Sequence, residues 1–273
     1  MSRTVVITGA SDGIGAAAAK MLAYPGDTLV LVGRSPAKTQ AVAQALEADH
    51  FVADFTDLGQ VRSLAQELLA KYPRIDVLAN NAGGIMAERQ VTPDGFERTF
   101  QVNHLAPFLL TNLLAERLVA SRASVINTSS AANKFMSRFD IDDLNAEKKY
   151  SPNAAYGNAK LANILFTKEL QKRFGDHGIN AVAFHPGVVA SNFAVESTSL
   201  VRAGYSGMLR RFLLSPEQGA DTLVWLATST PGVEWIPGEY YAKGKLARPN
   251  KLAQDPNIAR SLWEQSAAMV GIS

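Results

Sequence analysis

The 273-residue chain contains no cysteine. Disulfides, thiol catalysis and cysteine-ligated metals are therefore excluded. Its four histidines, His50, His104, His177 and His185, show no ligand spacing, and no metal site is expected. An excess of charge of one sign is missing too. The 27 basic and 25 acidic residues leave +2, with the basic residues scattered, which offers nucleic acid no footprint. No apolar run approaches the ~20 residues of a membrane span, and no signal-peptide core fits before the first strand. A cytoplasmic protein with no membrane partner is expected. What is plentiful is apolar side chain, at 47%, enough for a full core and against disorder.

The first organised stretch is TGASDGIG, Thr8 to Gly15, directly after the apolar run Val5-Val6-Ile7. A β-branched run reads as a buried strand, and the alanine-rich segment Ala16 to Tyr24 reads as a helix, so the glycines sit where strand hands over to helix. The first helical turn has unpartnered N–H groups and the positive end of the macrodipole, which favour an anion. Gly9, Gly13 and Gly15 let the backbone turn tightly and approach a pyrophosphate. The spacing is G-x-x-x-G-x-G, and taken alone it also suits an ordinary tight turn.

Strands and helices alternate along the rest of the chain. Strands are expected at Thr28–Val32, His50–Ala53, Ile75–Ala79, Ser124–Thr128, Ala181–Phe184 and Tyr240–Tyr241. Helices are expected after Ser35-Pro36, along Leu58, Val61, Leu64 and Leu68, over about Phe96–Ala120, over about Asn153–Phe174, and over Pro216–Ala227. This alternation implies an α/β fold: a Rossmann-type doubly wound parallel sheet with helices on both faces, as one domain over residues 1–273. Lys134–Tyr150 and Ala190–Leu214 are too long for ordinary connections and follow strands, on the edge where such sheets bind ligands. They are candidates for substrate walls, with a lid at about 190–214. The lid candidate supplies Phe193, Leu200, Tyr205, Met208, Leu209, Phe212 and Leu213, as pocket lining or as inward helix packing.

AYGNAK, Ala155 to Lys160, lies within the second long helix, whose start is marked by Ser151 and Pro152. Tyr156 and Lys160, four apart, project from one helix face. A phenol at its ordinary pKa of about 10 is a poor base, but a neighbouring cation favours the phenolate. An isolated Tyr-x-x-x-Lys reads as a packed ring and a surface charge. Here it accompanies Asn80-Asn81-Ala82-Gly83, Asn103, Ser129-Ser130 and Pro186-Gly187 in one order.

From Thr4 to about Ser191 the chain resembles the classical short-chain dehydrogenase/reductase family. Its T-G-x-x-x-G-I-G falls on Thr8, Gly9, Gly13, Ile14 and Gly15, and its N-N-A-G on Asn80 to Gly83. The resemblance implies a catalytic set of Asn103, Ser130, Tyr156 and Lys160. Tyr156 would exchange a proton with the substrate oxygen, Ser130 would hydrogen-bond that oxygen, and Lys160 would lower the tyrosine pKa and hold the nicotinamide ribose. Asn103 would support a water leading from Lys160. Ser129 competes with Ser130, and since neighbouring strand residues face opposite ways only one serves. The resemblance places a dinucleotide against Gly9, Ser11, Asp12, Gly13, Ile14 and Gly15, and against Asn81, Ala82 and Gly83. Asp54 would meet the adenine, and Pro186, Gly187, Val189 and Ser191 would lie beside the nicotinamide.

After the second strand stand Arg34 and Ser35, where an acidic residue would favour NAD; NADP is expected and NAD disfavoured. Asp12 departs from the basic or neutral residue common among NADP users. Ile141 to Phe166 resembles the retinol dehydrogenase-like branch and related bacterial ketoreductases, and protochlorophyllide reductases share part of the pattern. The implied reaction interconverts an alcohol and a carbonyl of a bulky apolar small molecule, most naturally as reduction. Reduction of a carbon–carbon double bond, or a non-catalytic nucleotide sensor, are the other readings. In many relatives the two long helices pair with a second copy, so a homodimer or homotetramer is expected. Leu109, Leu110, Leu113 and Leu114 suit that pairing or the sheet.

Overall fold

The computed structural model describes residues 2–189 and 214–272. Its strands are β1 (Thr4–Thr8), β2 (Thr28–Gly33), β3 (Asp49–Val52), β4 (Val77–Asn80), β5 (Ser124–Thr128), β6 (Asn180–His185), β7 (Tyr240–Ala242) and β8 (Lys245–Leu246). They form one sheet in the order β3-β2-β1-β4-β5-β6-β7-β8. All pairings are parallel except β7 with β8. The chain runs outward from β1 through β2 to β3, then returns to β4 on β1's other side. That reversal opens a crevice at the carboxyl ends of β1 and β4, the usual ligand position of such sheets.

The longer helices are α1 (Gly13–Met21), α2 (Pro36–Ala45), α3 (Leu58–Lys71), α4 (Ala106–Leu113), α5 (Ala115–Ser121), α6 (Pro152–Phe174), α7 (Pro216–Thr228) and α8 (Pro256–Val270). Alternating strand side chains feed two cores. Val5, Ile7, Leu29 and Leu31 pack with α1, α2 and α7, while Val6, Val30, Leu78 and Val125 pack with α3, α4, α6 and α8. Helices therefore cover both faces, as the alternation implies.

The expected single helix over Phe96–Ala120 is broken. Arg98–Phe100 is α-helical, Gln101–Leu105 is a π turn, and α4 and α5 meet at Leu114, where the backbone opens to φ −93°, ψ 0°. Pro107 accounts for the first break. It has no N–H, and in a regular helix its ring would strike the Asn103 carbonyl four residues back. The wider turn, with the Ala106 N–H donating to the Gln101 oxygen, avoids that clash.

α8, beyond the last element expected from sequence, is capped by Asp255, opens with Pro256 and ends at Gly271 with φ +64°. It lays Trp263 against Phe108 (5.0 Å between rings) and Phe166 (5.7 Å). α6 is consequently enclosed around its circumference, Leu161, Ala162, Ile164, Leu165 and Phe166 all being buried. Leu109, Leu110 and Leu114 are likewise buried inside this chain's own core.

Candidate active site

One wall of the crevice is made from backbone. Thr8, buried at the end of β1, donates its hydroxyl to the Ala79 carbonyl (3.2 Å) and accepts from the Asn81 and Ala82 N–H groups (3.0 Å each). It thus ties the turn after β1 to the turn after β4. The Asn81 amide adds a bond to the Thr8 carbonyl at 3.0 Å. Gly9 has φ +67°, and a Cβ there would lie 2.8 Å from Ala82 Cα. A Cβ on Gly15 would lie 2.2 Å from the Gly9 carbonyl oxygen, so no side chain fits. Gly13 also has positive φ, at +53°. Above these turns opens a cavity of about 740 Å³ lined by Gly9, Ser11 to Gly15, Val32 to Ser35, Lys38, Ala53 to Phe55, Asn81 to Met86, and Val102. A glycine cradle that a Cβ would fill, at a helix N-terminus, suits a dinucleotide pyrophosphate.

The outer end of the cavity is basic. Arg34 is exposed at the end of β2, and Ser35 occupies the N-cap position of α2 without making a capping bond, which leaves its hydroxyl to the cavity. Lys38, one turn into α2, was not singled out from sequence. It pairs with Asp12 at 3.3 Å, so the carboxylate that argued against NADP is matched by a cation. Asp12 also caps α1, accepting from the Gly13 N–H at 2.7 Å. Asp54 lines the cavity with its carboxylate turned onto the Thr56 N–H (3.0 Å).

The inner end is built from side chains. Tyr156 is 8% exposed and packs with Ile85, itself part of the cavity lining, and with Ala132. Lys160 Nζ stands 5.6 Å from the centre of the Tyr156 ring, on the same helix face. Lys160 is 2% exposed and donates to the Thr128 carbonyl at 3.1 Å. Among the described residues that is the only hydrogen-bond acceptor recorded for an ammonium with three donors. Burial lowers its pKa to about 7. A Cβ on Gly83 would sit 2.4 Å from Asn103 Oδ1 and 3.0 Å from Lys160 Nζ, so this glycine keeps the floor between them open.

Asn103 lies in the π turn, fully buried. It donates to the Gly84 and Thr99 carbonyls (2.8 and 2.7 Å) and accepts from the Gly84 N–H (3.1 Å). The two serines after β5 separate as their alternation requires. Ser129 is buried with its hydroxyl on the Lys160 carbonyl (2.7 Å), bracing α6. Ser130 is half-buried, its Oγ accepting from the Ala132 N–H at 3.2 Å. Asn133 fastens the Ser130 carbonyl (2.6 Å) to the Tyr240 hydroxyl (3.0 Å).

After β6, Pro186 leads into Gly187, whose φ is +87° and whose N–H donates to His185 Nδ1 at 3.1 Å. Burial lowers the His185 pKa and keeps that nitrogen an acceptor. Val189 is buried and bridges to Leu214, while the Leu214 N–H donates to the Val188 carbonyl at 2.9 Å. Ser191, and the lid side chains from Phe193 to Leu213, lie outside the described residues. Among the described residues no cluster of metal-ligating side chains occurs, and no helix is long and apolar enough to cross a membrane.

Residues 3–200 match the short chain dehydrogenase family. The chain belongs to that family. This short-chain dehydrogenase is 44% identical over 276 residues to a Streptomyces sp. (strain C5) protein named as a daunorubicin C-13 ketoreductase, covering 98% of this chain and 93% of the relative. It is 37% identical to retinol dehydrogenase 14 of Mus musculus, over 99% of this chain and 86% of that protein. An uncharacterised protein of Mycobacterium paratuberculosis has the same fold, with TM-score 0.80, 31% identity and 99% and 94% coverage. So does a short-chain dehydrogenase of Sphingobium yanoikuyae in complex with NADPH, with TM-score 0.65, 26% identity and 81% and 82% coverage. The protein is thus an oxidoreductase of a family that binds NAD(P), with ketoreductases and retinol dehydrogenases among its relatives.

Proposed function

We propose that this short-chain dehydrogenase is an NADP-dependent enzyme that reduces a bulky apolar ketone or aldehyde to the alcohol, with Tyr156 as general acid. The observation that carries the reading is Lys160, buried beside Tyr156 with donors to spare. Taking an ammonium out of water is costly unless partners receive its protons. A ribose diol and a developing phenolate are suitable acceptors, and both belong to this chemistry. When bound, the nicotinamide supplies the hydride.

The chain supplies the rest. Gly9, Gly13, Ile14 and Gly15 cradle the pyrophosphate, with Ser11 and Asn81 to Gly83 forming the sides. Asp54 serves the adenine, and Pro186, Gly187 and Val189 the nicotinamide. Tyr156 delivers a proton to the substrate oxygen, Ser130 donates a hydrogen bond to that oxygen, and Lys160 holds the phenol's pKa down. Asn103 sustains the floor on which a water reaches Lys160. Arg34 and Ser35, with Lys38 beside them, favour a ribose 2′-phosphate, and the NADPH-bound relative supports that choice. The ketone class rests on the name of the Streptomyces relative, a ketoreductase, and the retinol dehydrogenase name adds a bulky apolar alcohol. A homodimer or homotetramer would use surfaces other than the sides of α4 and α6 that carry Phe108 and Phe166, since Trp263 of α8 lies there.

Fluorescence titration with NADPH and NADH, followed by NADPH oxidation against bulky ketones, quinones and enones, tests the reading. Tighter NADPH binding with ketone turnover is expected. Turnover confined to enones would replace it with double-bond reduction, binding without any turnover would favour a sensor, and no binding of either nucleotide would overturn it.

A further inference from the structure

His104 is a buried titratable group for which the proposed chemistry has no use. It follows Asn103 in the π turn, is fully buried, and sits among the rings of Phe100 (5.0 Å), Phe108 (5.9 Å) and Phe166 (6.1 Å). Its Nε2 lies 2.9 Å from Ser266 Oγ, which is equally buried and belongs to α8. Burial lowers its pKa to about 3, so the ring is neutral and one nitrogen accepts while the other donates.

The second nitrogen leads toward the catalytic floor. His104 Nδ1 and Asn163 Oδ1 are both buried and neither makes a hydrogen bond, although the neighbouring Asn163 side chain favours the protonated ring against the larger effect of burial. Such leftover groups are complementary, a donor on the ring and an acceptor on the amide. The other end of Asn163 donates to the Thr128 carbonyl at 3.0 Å, the same oxygen that receives Lys160 Nζ at 3.1 Å. Hydrogen bonds thus join α8 to the π turn through Ser266 and His104, and two side chains of α6, Asn163 and Lys160, to the Thr128 carbonyl.

We propose that His104 is a positioning residue, tying the C-terminal helix through Ser266 to the π turn that aims Asn103. This rests on the catalytic reading above only for its effect on turnover. The structural part is independent of it, because the Gly84 N–H is held by Asn103 Oδ1 and reports on the π turn directly.

The test compares His104→Leu, His104→Gln and Ser266→Ala with the parent protein by hydrogen exchange over 81–86 and by NADPH-dependent ketone reduction. Loosening the turn in His104→Leu speeds exchange at Gly84 and lowers kcat on the order of tenfold, with the KM for NADPH within about twofold. Ser266→Ala shifts both in the same direction by about threefold, and His104→Gln, which keeps a donor and an acceptor, recovers most of the loss. Unchanged Gly84 exchange and kcat in Ser266→Ala, or a His104→Gln no better than His104→Leu, overturns the proposal. So does a fall in Tm with normal kcat in the folded protein. If Tyr156→Phe in the same assay keeps full turnover, the catalytic reading has failed instead, and Gly84 exchange alone then decides whether His104 holds the turn.

Discussion

The two walls of the crevice are made of different material. The proposed nucleotide wall is backbone brought close by missing side chains, with one hydroxyl, that of Thr8, joining two turns. The proposed catalytic wall is side chain, and its supports come from several elements: Ser129 and Asn133 after β5, Tyr240 in β7, Ser266 in α8. The first kind of wall is intolerant of added atoms. The second tolerates small local changes but depends on distant packing, so its defects appear as lost chemistry more than lost binding.

Gly15→Val breaks the contrast most severely. Its branched side chain would enter space already held by the Gly9 carbonyl and the Asn81 amide, and nucleotide binding is expected to fall by at least ~100-fold in a fluorescence titration. Binding within a few-fold of the parent would mean that the turns do not form the cradle. The paired serines probe the other wall. Ser130→Ala should lower kcat by about 100-fold with little change in Tm. Ser129→Ala loses the buried bond to the Lys160 carbonyl and should cost about 1 kcal/mol of stability by denaturant unfolding. The reverse pattern would exchange the two roles.

The proposed nucleotide wall was legible because each of its two motifs is short. TGASDGIG and Asn80 to Gly83 carry their consequences within a few residues, and the strand runs around them follow from their apolar content. Tyr156 and Lys160 were legible for the same reason, being one helical turn apart. What escaped is what depends on distant partners. Lys38 belongs to the site only because α2 starts beside the glycine turn, where Asp12 meets it. The π turn has a local cue in Pro107, four residues after Asn103, but its use depends on Gly84 reaching it from another loop. α8 carries ordinary helix signals in Asp255, Pro256, Gly271 and apolar residues at Ala259, Leu262, Trp263 and Val270, none of which says what the helix packs against. That it closes over α4 and α6 is a tertiary fact.

Two smaller effects sharpen the comparison. Lys38→Ala should weaken 2′,5′-ADP by about tenfold by calorimetry and leave 5′-AMP unchanged, because only the 2′-phosphate needs the extra cation. Equal loss for both ligands would place Lys38 outside phosphate recognition. Lys160→Met tests burial of the ammonium in the nucleotide-free protein. With the folded pKa near 7 and the unfolded one near 10.5, the unfolded chain binds more protons between those values, so stability from this group rises with pH across that window and is lost as pH falls toward 7. Lys160→Met should therefore raise Tm at pH 7 by on the order of 5 °C, with the gain shrinking toward pH 10. A gain that does not depend on pH would mean the ammonium carries no burial cost.

The most direct measurement is kcat/KM for NADPH-dependent reduction of a bulky ketone by Tyr156→Phe against the parent enzyme, with NADPH affinity measured alongside. The substitution removes one hydroxyl from a packed ring, so binding should stay within about twofold while kcat/KM falls by at least ~1000-fold. Retained turnover with normal NADPH binding would contradict the assignment of Tyr156 as the proton donor.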